Sequence, residues 1–118
     1  MKFMFTIYHD EKELEALPKR EMQALVDAAL DYMEEIRRSG HFIVSNALQR
    51  VRTARTIRVR GGKVTTTEGP FAETTEQVGG FFLIEAKDID EACEVASRFP
   101  PARIAIIEVR PVQELTLS

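Results

Sequence analysis

Between Glu21 and Arg38 the apolar residues Met22, Leu25, Val26, Ala29, Leu30, Met33 and Ile36 recur at steps of three and one, which is one stripe of an α-helix. The opposite face carries Asp27, Asp31, Glu34 and Glu35. Arg37 and Arg38 then fall where cations favour the C-terminal end of the helix dipole, and Gly40 offers a left-handed stop. The start is less well marked, because Leu17-Pro18 stands where a Ser or Asp cap would be expected. A second helix is predicted after Asp88, whose carboxylate can cap the first turn while Glu91 completes a capping box. Its inner face reads Ile89, Ala92, Cys93, Ala96 and Phe99, with Cys93 as a small buried hydrophobe, and Pro100-Pro101 ends it. Between Asp10 and Ala16 an Asp-x-x-Glu start predicts a further helical turn or two, closed by Pro18.

Short runs rich in Ile, Val and Phe predict strands at Phe3 to Tyr8, His41 to Ser45, Thr56 to Arg60, Val64 to Thr67, Phe81 to Ala86 and Ile104 to Arg110. Gly61-Gly62 is the turn of a two-residue hairpin, since glycine supplies the positive φ of a primed turn without steric cost. The order is that of a ferredoxin-like βαββαβ unit, α+β in class, with an inserted β-hairpin. Phe3, Phe5 and Ile7 point to one face of the first strand and Met4, Thr6 and Tyr8 to the other. In the last strand Ile104, Ile106, Glu108 and Arg110 oppose Ala105, Ile107 and Val109. Two principal helices cover one face of such a sheet, so the second apolar face calls for a partner, and a homodimer with sheets packed face to face is expected.

The bounds narrow the classes. A chain of 118 residues, 44% hydrophobic and without a linker-like stretch, is expected to form one domain over 1–118. Apolar runs are far too short for a bilayer span and no signal peptide is recognisable, so a cytoplasmic protein without a membrane partner is expected. A net charge of −3 gives no general attraction to nucleic acid, and a lone cysteine forms no internal disulfide. From Ala47 to Thr67 there is no acid, while Arg50, Arg52, Arg55, Arg58, Arg60 and Lys63 supply six positive charges. Without interleaved aromatics this reads as a hairpin surface balanced by helix acids rather than a nucleic-acid site. No Cys/His cluster has zinc spacing, and neither a phosphate loop nor a nucleophile elbow occurs, so no metal or cofactor is assigned.

The segment from Glu68 through Gly69-Pro70-Phe71 to Gly79-Gly80-Phe81-Phe82 gathers acids, glycines and aromatics into one connection, long enough to serve as a binding loop. Glu73 and Glu76 would share a side if the loop made one helical turn, and could then hold a cation or tune a proton donor; otherwise they are solvated loop acids. Gly79 and Gly80 allow close approach of a backbone or ligand, and Phe71 could roof a pocket. His9, at the end of the first strand, is the side chain best suited to proton transfer near neutral pH, set against the alternative of a solvated strand-end histidine; His41 is a weaker candidate. Arg110 either pairs with Glu108 or holds a ligand carboxylate in a bidentate fork.

Four segments resemble the YCII-related family in its DGPF branch: Met1 to Glu11, Thr56 to Lys63, Gly69 to Phe82, and Ile107 to Val112. The resemblance implies a dimeric α+β barrel of ferredoxin-like subunits, and an association with extracytoplasmic-function sigma factors. Glu68 stands where the name motif has Asp. In some YCII-like proteins a His on the first long helix is suggested to act with an Asp, but this chain has no histidine between residues 10 and 40, so that pair is not carried over. The expected function is binding of a small molecule, anionic or carbonyl-bearing, in a cleft between sheet and connecting loop of a homodimer. If it is an enzyme, proton transfer would use His9 or Glu73 as base, with Arg110, Phe71, Glu76, Gly79 and Gly80 at the ligand. The alternative is a non-catalytic regulatory or protein-interaction module linked to sigma-factor-dependent transcription.

Overall fold

The structure is a computed structural model that describes residues 1–116. Its elements run β1 (Lys2–His9), α1 (Glu11–Ala16), α2 (Lys19–Arg38), β2 (Phe42–Ala47), β3 (Arg55–Arg60), β4 (Lys63–Glu68), β5 (Gln77–Glu85), α3 (Ile89–Ser97) and β6 (Ala105–Pro111). Single 3-10 turns precede β3 and β6, at Val51–Thr53 and Pro100–Arg103. Strands β2, β5, β1 and β6 form a four-stranded sheet in that order, every neighbouring pair antiparallel. This mixed α+β topology is compatible with the expected ferredoxin-like fold.

Alternation in β1 places Phe3, Phe5 and Ile7 in the core beneath the helices, level with Ile84, Phe82 and Gly80 of β5. Phe82 is the hub. Its ring meets those of Phe5, Tyr32, Phe42 and Phe99 at centroid distances of 6.5, 5.8, 6.4 and 5.6 Å, mostly edge to face. The Tyr32 hydroxyl donates to the Val95 carbonyl at 2.6 Å, tying α2 to α3; burial raises the phenol well above its usual range.

Helix α2 is fastened unevenly. In its C-terminal half Tyr32 and Ile36 are buried, and Arg98 bonds Glu35 at 2.6 Å across to α3. Nearer its N-terminus, Val26 and Leu30 stay exposed although they belong to the apolar stripe. It begins at Lys19, two residues before the predicted start, with Pro18 at the cap position and no side-chain cap; the Pro18 carbonyl accepts from Met22. Helix α3 has the predicted Asp88 cap, which accepts from the Glu91 amide at 2.9 Å, but its inner face is corrected to Ala92, Val95, Ala96 and Phe99. Cys93 and Ile89 are exposed, because Val95 and not Cys93 completes the buried stripe.

The hairpin β3–β4 forms its own two-stranded sheet with the predicted Gly61-Gly62 turn, at φ of 56° and 77°. It projects as an arm: Ile57, Val59 and Val64 are exposed, and the radius of gyration is 16.5 Å where roughly 13.5 Å describes a compact chain of this length. The sheet face away from the helices is uncovered and apolar, with Met4, Val44, Val78 and Ile106 exposed on it.

Candidate functional site

Because α2 is fastened at one end, its free half stands off the sheet and encloses a cavity of about 450 Å³. One wall is the α2 stripe, with Met22, Leu25, Ala29 and Met33 among its residues; the facing wall comes from β1, β5 and β2, with Ile7, Gly80, Phe82 and Ser45. The volume lies within the range of small-molecule sites, and the lining is overwhelmingly apolar. The periodicity of the stripe was legible, but a stripe reads the same whether it packs on a core or faces a void. Periodicity therefore carries no signal that the stripe residues line a cavity, and Ser45 and Asn46 carry none either.

His9 is the one titratable side chain among the described lining residues. Its seat is made by an irregularity in the β1–β5 ladder: Ile7 pairs with Gly80 and Tyr8 with Val78, so Gly79 is an extra residue, a β-bulge. The imidazole lies over Gly79 where a side chain would be, and a Cβ on that residue would overlap the ring. Gly79 does not have a positive φ, so glycine is required there for space and not for backbone conformation. A Cβ on Gly80 would stand 3.0 Å from the Asn46 carbonyl oxygen of β2, a tight approach of strand to strand. Burial pushes the His9 imidazole below its usual pKa and nearby Arg50 acts the same way, while Glu11 and Asp10 oppose them; the ring is neutral at pH 7. No hydrogen bond to a described residue occupies its ring nitrogens, and neither nitrogen is sealed away without a partner. A neutral imidazole at an apolar cavity can accept one proton or hydrogen bond and donate another.

The structure thus brings His9, Gly79 and Gly80 together. The two glycines belong to β5, which starts at Gln77, and not to the connecting loop. The loop itself spans 69–76 without a helical turn, so Glu73 and Glu76 are not aligned on one; both are exposed. Phe71 is 74% exposed and lies under the Arg58 guanidinium of the arm, 5.1 Å from ring centroid to carbon. The loop is anchored by Gln77, whose amide donates to the Ala72 and Thr74 carbonyls at 2.6 and 3.1 Å, and by Gly69, whose amide donates to the Ala54 carbonyl at 2.8 Å. None of residues 71–76 lines the cavity, which lies between α2 and the sheet and not between sheet and loop. Arg110 bonds Glu108 at 2.7 Å on the open sheet face, the pairing that its spacing allowed.

A second cluster stands apart. Ser39 Oγ is 2.7 Å from His41 Nδ1, and His41 Nε2 is 3.1 Å from Glu91 Oε1, an array with the outline of a serine hydrolase triad. Acyl transfer also needs free N–H donors for an oxyanion, and here they are spent: the amides of Ser39, Gly40 and His41 donate to the carbonyls of Glu35, Arg37 and Ile36 at 3.1, 3.1 and 2.9 Å. The Ser39 hydroxyl itself bonds the Ile36 carbonyl at 3.1 Å. The cluster is a clasp between the end of α2 and the start of α3. Among the described residues no group of three His, Cys, Asp or Glu is placed to hold a metal ion, and no helix is long and apolar enough to cross a membrane.

Compared with known proteins, the chain matches the YCII-related domain over residues 1–116. It is also 30% identical over 114 residues to an uncharacterized protein of Rhizobium meliloti (strain 1021), an alignment covering 95% of this chain and 92% of the relative.

Proposed function

From the premise that this chain belongs to the YCII-related domain family, we propose that it binds a small molecule in the cavity between α2 and the sheet, with His9 as the group that meets the ligand's polar atom. The observation that carries this reading is the cavity itself: about 450 Å³, apolar, with one neutral imidazole wedged at its wall by a glycine bulge. Such a group can act as a general base if the ligand carries an acidic hydrogen. Proton transfer would then rest on His9, since Glu73 and Arg110 are not in the lining.

The same proposal includes a homodimer with its sheets face to face, closing an α+β barrel. Its support is the uncovered face bearing Met4, Val44, Val78 and Ile106, whose apolar surface a second copy would remove from water. Ligand binding is tested by a thermal-shift screen of small metabolites against the wild type and Ala29→Trp, with Leu30→Trp at the exposed rim as the milder block. Compounds that raise the wild-type Tm should lose their effect in the blocked variants. Equal stabilisation of blocked and wild-type protein would place binding elsewhere.

A further inference from the structure

We infer that the α2 cavity selects a neutral, largely apolar molecule carrying a hydroxyl or comparable donor group directed at His9, and discriminates against ligands bearing a free carboxylate, sulfonate or phosphate. The inference rests on the cavity being a ligand site and goes further by fixing the ligand's chemistry. It departs from the anionic ligand that Arg110 would have held in a bidentate fork.

Charge is the first ground. Among the described lining residues there is no Lys, Arg, Asp or Glu. Arg50, the cation near His9, is ion-paired with Glu15. An ionised group entering this lining would lose its hydration without gaining a counter-ion, and that penalty exceeds what apolar contact returns.

The state of His9 is the second ground. An anion would favour the imidazolium, which burial opposes. A neutral imidazole instead offers a lone pair, for which a hydroxyl is the matching donor. The seat over Gly79 limits how far the ring can swing, so the direction of that lone pair is fixed by the bulge rather than by the ligand. Shape is less constrained. Met22 and Met33 are flexible and polarisable side chains that can repack against different shapes. The polar group is therefore specified more tightly than the skeleton that carries it.

Three probes of one bicyclic skeleton separate these points: naphthalene, 1-naphthol and 1-naphthoate, each titrated into the full chain at pH 7.5 by calorimetry. The expected result is that 1-naphthol binds about tenfold more tightly than naphthalene, the gain of one hydrogen bond, and that 1-naphthoate binds more weakly than 1-naphthol. In His9→Leu naphthalene binding should persist while the preference for 1-naphthol disappears. Should His9→Leu fail to fold, the ring resonances of His9 in the wild type are followed instead, and 1-naphthol should shift them where naphthalene does so less. Equal affinity for naphthol and naphthalene, a preference that survives His9→Leu, resonances that naphthol leaves unmoved, or tightest binding of naphthoate would each overturn the inference while leaving a cavity that binds ligands. Failure of all three probes to bind would overturn the cavity reading together with it.

Discussion

Replacing Gly79 by alanine in two backgrounds isolates the contact on which the candidate site depends. In the wild type the new Cβ would overlap the His9 imidazole, so the ring must leave its seat or the bulge must distort. Overpacking of this kind costs about 1–3 kcal/mol. The backbone at Gly79 has no positive φ, so with the ring removed an alanine should fit and even gain about 0.5 kcal/mol by restricting the unfolded chain. For 118 residues the unfolding entropy is about 250 cal/mol/K, which converts 1 kcal/mol into about 4 °C. Gly79→Ala alone should therefore lower Tm by about 4–12 °C, whereas in the His9→Ala background it should leave Tm unchanged or raise it by about 2 °C. Calorimetry of the four proteins gives the coupling energy, expected near 2 kcal/mol. Equal losses in both backgrounds would refute the reasoning, since Gly79 would then be answering to the bulged backbone and not to the imidazole.

Other outcomes can be stated more briefly. Tyr32→Phe removes the buried bond to the Val95 carbonyl and should cost about 1 kcal/mol in urea unfolding; no change would mean that this bond does not tie α2 to α3. His9 has a folded pKa below its unfolded value of about 6.5, so between those two values the unfolded chain binds more protons. Its contribution to stability is accordingly complete above about pH 6.5 and is lost as pH falls through the folded pKa; His9→Gln should flatten that part of the profile, and a profile unchanged by the substitution would count against a desolvated ring. Light scattering of the wild type should give a dimer mass and Ile106→Glu a monomer, while a monomeric wild type would remove the face-to-face pairing.

The parts of the fold that were legible in the sequence are those set by local rules. The α2 stripe, the Gly61-Gly62 turn, the Asp88 cap and the alternation in β1 each depend on residues close together in the chain. The α3 face was misread because Cys93 is small and apolar enough to pass for core, while Val95, which is fully buried, completes the real stripe. For the site, His9 and the glycine pair were singled out, but not their relation. Gly79 serves a histidine on another strand, a contact that depends on strand register, and single-chain periodicity carries no register. The contact of His41 with Glu91 was illegible for a similar reason, since Glu91 lies on a distant helix. The loop acids Glu73 and Glu76 stand out by composition alone, and composition does not say which surface a loop lies against.

The bulge at Gly79 also behaves as a phase shifter in the pleat. Counted back by twos from Phe82 and Gly80, Val78 would turn toward the helices; with the additional residue it pairs with Tyr8 on the open face, and Gln77 pairs with His9 instead. Gln77 is the residue whose amide grips the Ala72 and Thr74 carbonyls. A regular ladder through the same residues would put Gly79 opposite Tyr8 and Val78 opposite His9, exchanging the sides of Val78 and Gln77 and with them the side of the sheet from which the 69–76 loop is held. A relative one residue shorter here would keep both residues on their present sides with a regular ladder, so the bulge is what lets the longer chain hold its loop from the same side.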